Sequence, residues 1–226
     1  MNKILLLITS IMFTSSIVFS QSWKYDLDER DGLYYKENSK TPFSGTNFSY
    51  WDNRKIRNKI FYKKGLRYKF SMHNKNGKKI YEDIIKNNIR EETEWYENGK
   101  KKNHEFFLLQ EEGGAIKTGK WTYWYENGQK KEEENYKDGK QDGLDIYWYD
   151  NGKKQSERTY KNGELGVLIV WYKNGQKQWE NTYKDGELDG VQTYWYKNGQ
   201  KEEEGTFKDG ELDGVQTYWY ENGQKK

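Results

Sequence analysis

Gly190-Val191-Gln192-Thr193-Tyr194-Trp195-Tyr196-Lys197-Asn198-Gly199-Gln200-Lys201-Glu202-Glu203-Glu204-Gly205-Thr206-Phe207-Lys208-Asp209-Gly210 holds two runs rich in aromatic and β-branched residues, divided by Asn-Gly and closed by Asp-Gly. Two such runs around Asn-Gly are a strong hairpin signal, because that pair accepts the positive φ angles of a two-residue type I′ turn. Asp209-Gly210 then turns the chain again. The block recurs: Trp124, Trp148, Trp171, Trp195 and Trp219 step by 24, 23, 24 and 24 residues. Each is followed by an Asn-Gly pair, at Asn127-Gly128, Asn151-Gly152, Asn174-Gly175, Asn198-Gly199 and Asn222-Gly223. A fixed period of this length means one supersecondary unit copied in tandem, each copy covered by its neighbours.

Helix is excluded by the glycines, since no stretch of the repeat runs more than about ten residues without one, too short for a helix in water. The single proline, Pro42, leaves every later backbone N–H free for a ladder. The expectation is an all-β fold of tandem antiparallel β-hairpin repeats, about 24 residues each, forming one long twisted or curled meander sheet. With a two-residue turn, Tyr196 lies opposite Lys201, Trp195 faces Glu202 and Tyr194 lies opposite Glu203; a longer loop shifts this register.

The first half carries the same unit in worn form. Trp51-Asp52-Asn53, Asn76-Gly77 and Trp95-Tyr96-Glu97-Asn98-Gly99 mark turns, and the runs flanking Lys86-Asn87-Asn88 read as another hairpin. The expected organisation is a signal peptide over 1–20, a lead-in over 21–31, degenerate hairpin repeats over 32–119, and regular repeats over 120–226, the last one incomplete. The signal reading rests on Lys3, the apolar run from Ile4 to Phe19, and Val18-Phe19-Ser20 before a cut at Gln21. That apolar run is shorter than the roughly 20 residues needed to span a bilayer. The expected location is therefore outside the cytoplasm, periplasmic or extracellular, with no transmembrane segment after signal removal.

Composition narrows the function classes. Hydrophobic residues make up only 33% of the 226, and aromatic residues 17% of the whole. That suits a thin sheet clothed in aromatic and long charged side chains better than a compact aliphatic core. A formal charge of +3 lacks the basic excess of a nucleic-acid binder. With no cysteine, stability must come from packing between repeats rather than disulfides.

Catalytic chemistry has little to stand on. In Glu132-Glu133-Glu134 and Glu202-Glu203-Glu204 only the outer two carboxylates share a strand face, and they read as part of a solvated, lysine-lined sheet. His73 and His104 are isolated, and no calcium loop, nucleophile elbow or phosphate loop occurs. No metal site, cofactor or catalytic residue is expected. The aromatic rows through Trp124, Trp148, Trp171 and Trp195 are the feature suited to binding, either as sheet packing or as a ladder for a linear partner. After Asn222-Gly223 only Gln224, Lys225 and Lys226 follow, so Val215 to Tyr220 is expected to leave an open edge bearing Tyr218, Trp219 and Tyr220, suited to edge-mediated dimerisation.

The pattern Thr41-Pro42-Phe43-Ser44-Gly45, then Trp-Tyr-x-Asn-Gly-x-Lys, then Tyr-Lys-Asp-Gly-x-x-Asp-Gly resembles the MORN-type repeats of bacteria, in the YwqK-like variant. The resemblance is strongest from Lys120 to Lys226, where Asp142-Gly143, Asp189-Gly190 and Asp213-Gly214 match the glycine that opens each unit; Leu165-Gly166 lacks the acidic residue. It implies a β-hairpin repeat used for protein or lipid-surface contacts, in a group often labelled antitoxins. The combined expectation is a non-enzymatic exported repeat protein whose sheet binds a protein partner, the alternative being an envelope carbohydrate-binding module.

Overall fold

The computed structural model describes residues 23–111 and 113–226. The proposed signal segment lies outside them. The described residues divide into two compact units, the first ending at Ile116 and the second spanning Lys117–Lys226. Each is an open antiparallel meander of consecutive hairpins, with no helix among the described residues.

In the first unit a two-stranded hairpin, β1 (Leu27–Arg30) and β2 (Leu33–Lys36), precedes the meander β3 (Gly45–Tyr50), β4 (Ile56–Lys63), β5 (Leu66–His73), β6 (Lys79–Lys86), β7 (Ile89–Trp95) and β8 (Lys101–Gln110). The hairpin expected around Lys86-Asn87-Asn88 is β6–β7, with both asparagines at positive φ. The chain ahead of β1 covers the edge of β3: Trp23 bridges Ser49 and the Lys24 N–H donates to the Phe48 carbonyl at 2.8 Å. Beside it Phe43, Tyr25, Tyr34 and Tyr62 form an aromatic cluster with ring centroids 5.1–5.6 Å apart. Burial there pushes the Tyr62 hydroxyl up to about 12. A cavity of about 340 Å³ opens next to it, lined by Trp23, Asp26, Asn47 and Ile60 among others.

After β9 (Gly114–Lys117), the second unit runs β10 (Gly119–Trp124), β11 (Lys130–Lys137), β12 (Lys140–Gln141), β13 (Gly143–Trp148), β14 (Lys154–Lys161), β15 (Glu164–Trp171), β16 (Lys177–Lys184), β17 (Glu187–Leu188), β18 (Gly190–Trp195), β19 (Lys201–Lys208), β20 (Glu211–Leu212) and β21 (Thr217–Tyr218). The acidic-Gly pairs at Asp142-Gly143 and Asp189-Gly190 break a strand in two, giving the short β12 and β17. Where Leu165-Gly166 replaces the pair, β15 continues unbroken over Glu164–Trp171.

The two-residue type I′ turn expected at Asn-Gly falls at Asp-Gly instead. Asp209 and Gly210 both hold positive φ (48° and 80°), and Lys208 pairs with Glu211, so the Asp-Gly pair makes the two-residue type I′ turn. At the Asn-Gly pair only Gly199 is positive (φ 87°). There Tyr196 N–H meets the Gln200 carbonyl and Gly199 N–H meets the Tyr196 carbonyl, both at 2.9 Å, closing a three-residue loop. The register slips accordingly: Trp195 lies opposite Lys201 rather than Glu202, which bulges, while Tyr194 does pair with Glu203.

Candidate binding surface

Each Asn-Gly loop is stitched to the next by side chains. The Asn198 Oδ1 accepts the Gln200 N–H at 2.9 Å, an Asx turn, while its Nδ2 donates to the Glu221 carbonyl at 2.8 Å in the following loop. Asn127, Asn151 and Asn174 do the same toward Asp150, Lys173 and Lys197. A second rung runs alongside it: the hydroxyls of Tyr125, Tyr149, Tyr172 and Tyr196 donate to the carbonyls of Trp148, Trp171, Trp195 and Trp219 at 2.7–3.0 Å. In the first unit the Trp51 indole N–H donates to the His73 carbonyl at 2.9 Å and Asn53 Nδ2 to that of Lys75 at 2.8 Å. The asparagines therefore lock loops together as well as turning the chain.

Side chains alternate across a strand, so the pairings lay out one face of the second unit as three lines crossing the strands. Trp124, Lys130, Trp148, Lys154, Trp171, Lys177, Trp195, Lys201 and Trp219 form the first. Each lysine faces one tryptophan in the pairing and lies over the ring of the next, 5.4–5.7 Å from its centre. The second line alternates Thr or Ile with Glu: Thr122, Glu133, Ile146, Glu157, Ile169, Glu180, Thr193, Glu204 and Thr217. Lys130, Lys154, Lys177 and Lys201 pair with the glutamate three residues on. Burial pushes the Glu133 carboxyl up, but hydrogen bonds from Lys120 and Lys130 bring it below its ordinary value. The third line is short and, apart from Leu144, β-branched, with Leu144, Thr159, Val167 and Thr182 side by side, then Val191 opposite Thr206. Leu144 and Val191 are 43% and 51% exposed and Thr159 and Thr206 are exposed too, while Val167 and Thr182 are half-buried.

The opposite face carries the acids that pair with hydroxyls. Glu132 and Glu134 share it, as alternation requires, but they are half-buried among tyrosines rather than solvated beside lysines. The hydroxyls of Tyr136 and Tyr147 donate to Glu134 at 3.0 and 2.8 Å. Asp145, 0% exposed, accepts the Asn135 N–H and the Gln141 Nε2, both at 2.7 Å, opposite Arg158. Burial outweighs those two donors and, with Glu134 nearby, pushes its carboxyl up to about 6. Burial also raises Glu132. Glu134 and Asp145 are committed to structural hydrogen bonds, and among the described residues no cluster of His, Cys, Asp or Glu is placed to hold a metal ion. His104 Nε2 contacts Glu91 Oε1 at 2.8 Å, and burial together with the nearby Lys59 ammonium lowers His73.

The candidate tryptophans thus stand in one line, half-buried, each from Trp148 to Trp219 with a lysine over its ring. Tyr218 and Tyr220 are exposed, but the edge strand is only Thr217–Tyr218 rather than the expected Val215 to Tyr220. Its outer side is partly taken: Lys226 N–H donates to the Tyr218 carbonyl at 2.9 Å and Trp219 bridges Lys225. Sequence reasoning missed the lysine line, the β-branched line and Asp145. The signal for the first was present, as a lysine two residues after Gly128, Gly152, Gly175 and Gly199 and a glutamate three residues beyond it.

No helix among the described residues is long and apolar enough to cross a membrane. No curated protein matches the chain. The family described as MORN repeat variant matches residues 117–138, 141–162, 188–209 and 212–226, and passes over 163–187, where Leu165-Gly166 departs from the pattern. Repeats of this kind are generally non-enzymatic and often mediate protein interaction. These four stretches, each holding one Asn-Gly loop, are similar to the MORN repeat variant.

Proposed function

We propose that this is a non-enzymatic exported protein whose second unit offers its three-line sheet face to a protein partner. The observation that carries the reading is the line of Leu144, Thr159, Val167, Thr182, Val191 and Thr206, exposed at all but Val167 and Thr182 and flanked by Lys–Glu pairs. A strip of Leu, Val and Thr beside charged pairs suits a protein interface. The YwqK-like resemblance is part of the proposal, since an antitoxin works by covering another protein. Export, to the periplasm or beyond, rests on the apolar run before Gln21 and is tested by N-terminal sequencing of the protein from its native host. The combined variant Leu144→Lys, Val167→Lys and Val191→Lys leaves the ladder residues untouched. It should lose a cross-linked protein partner that the wild type captures from envelope extract; equal capture by both overturns the reading.

A second reading has its own support. The tryptophans recur at every second strand, roughly 10 Å apart, and their neighbours Lys177 and Glu180 can bond sugar hydroxyls. If the line holds a glycan, replacing Trp148, Trp171 and Trp195 together by Thr should abolish retention on cell-wall polysaccharide while the β-sheet circular dichroism survives. Self-association through exposed Tyr218 and Tyr220 is a third element, read by light-scattering mass across protein concentration.

A further inference from the structure

The Asn-Gly loops are alike in sequence but not in how the asparagine is held. At Asn127, Asn151, Asn174 and Asn198 the carboxamide is pinned at both ends, its Oδ1 by the N–H two residues on and its Nδ2 by a carbonyl of the next loop. Asn76-Gly77, between β5 and β6, differs. There Asn74 supplies the accepting Oδ1, taking the N–H groups of Asn76 and Lys78 at 3.0 Å each. By the register of the other loops Asn76 Nδ2 would donate to the Glu97 carbonyl, but the Lys78 ammonium occupies it at 3.2 Å. Among the described residues the exposed Asn76 carboxamide makes no hydrogen bond; the residue is held through its main-chain N–H, on Asn74 Oδ1 at 3.0 Å, and its main-chain carbonyl, on Lys55 Nζ at 3.2 Å.

We infer that Asn76-Gly77 is a site of spontaneous covalent modification, converted through a cyclic imide to aspartate and isoaspartate. The Gly77 main-chain nitrogen attacks the Asn76 side-chain carbonyl carbon and forms a C–N bond. The carboxamide C–N bond breaks, and its nitrogen leaves as ammonia with the proton lost from Gly77. Water then opens the ring at either carbonyl. The step needs no oxidant and no enzyme, only a carboxamide free to rotate toward the next nitrogen and a following residue without a side chain to obstruct it.

The glycine nitrogen does not discriminate among these loops, because Gly77, Gly128, Gly152, Gly175 and Gly199 all donate to the residue three before, at 2.8–2.9 Å. The tether on the carboxamide does. Asn222, whose Oδ1 accepts the Gln224 N–H at 3.0 Å but whose Nδ2 reaches only Gln224 Oε1 at 3.4 Å, ranks between. Asn162-Gly163 belongs to the other turn class, a two-residue turn with Asn162 itself at positive φ (51°), so the tether comparison applies to the three-residue loops alone. The product at position 76 places a carboxylate beside the Lys55 ammonium. Isoaspartate also lengthens the main chain inside a three-residue loop.

The test is peptide mapping by mass spectrometry of the full chain, folded, over days in mildly alkaline buffer. The Asn76 peptide should convert severalfold faster than those bearing Asn127, Asn151, Asn174 and Asn198, and in strong denaturant the rates should converge. Conversion at Asn76 no faster than at those four, or the same ranking persisting in denaturant, overturns the inference. Asn76→Gln should remove the early product while the other peptides keep their rates; an early product that survives the substitution counts against it equally.

Discussion

The hydroxyl of Tyr172 donates to the main-chain carbonyl of Trp195, 23 residues later, at 3.0 Å. It joins neighbouring loops by a bond that no backbone ladder supplies. Tyr172→Phe removes it and leaves the ring. The expected cost is about 1 kcal/mol, seen in hydrogen exchange as faster opening of β16 to β19, with β10 and β11 unaffected because damage in a tandem array stays with nearest neighbours. Uniform loss of protection from β10 to β21 would contradict the picture.

Gly199 holds φ at 87°, and a Cβ built there comes within 2.9 Å of the Gln176 Oε1 in the preceding loop. Gln176 can swing aside, but the backbone angle cannot be relieved so simply. Gly199→Val should therefore cost about 1 kcal/mol or more. Chemical denaturation would report it, and Gln176→Ala in the same chain should not rescue it.

Asp145 gives the second unit a pH signature. Its folded carboxyl holds a proton more tightly than the unfolded one, so the stability tied to it is full below about pH 4 and is lost as pH rises through about 6. Glu132, also raised by burial, acts in the same direction. Asp145→Asn should flatten the decline by an amount on the order of 1 to 2 kcal/mol. Urea midpoints of wild type and variant, compared below and above that window, supply the check; parallel profiles would refute it.

Asn47 clamps the chain ahead of β1. Its Oδ1 accepts the Tyr25 N–H at 3.0 Å and its Nδ2 donates to the Tyr25 carbonyl at 2.9 Å. Asn47→Leu keeps the volume but leaves both Tyr25 groups unpaired, a cost of about 1 to 3 kcal/mol. Faster exchange at Tyr25 and a changed Trp23 emission are expected while β6 to β8 stay protected.

How far the sequence could be read follows from which interactions are local. Period, hairpin order and the alternation that puts Thr193 and Trp195 on one face are written in spacing alone. The turn types are not: Asn198-Gly199 and Asp209-Gly210 look interchangeable until the Asn198 side chain is seen to take the Gln200 N–H and reach into the next loop. That longer loop and the bulge at Glu202 put Lys201 opposite Trp195, so the lysine cover over the tryptophans was invisible from the pairing a shorter turn implies. Asp145 escaped because the repeats opened by Gly119, Gly143 and Gly190 place Trp121, Asp145 and Gln192 two residues after that glycine. All three are buried, and no residue type marks the position.

The rungs between loops all point one way. Tyr125, Tyr149, Tyr172 and Tyr196 are donors belonging to the earlier copy, and the accepting carbonyls belong to the later one. Gene duplication that copies a complete period brings a donor set and an acceptor set together, and the new segment slots in with every junction already satisfied. A fragment of a period brings one without the other and strands buried polar groups at the seam. Such an array can lengthen or shorten in heredity only by whole steps, and the steps of 24, 23, 24 and 24 residues between Trp124 and Trp219 are the trace that rule leaves.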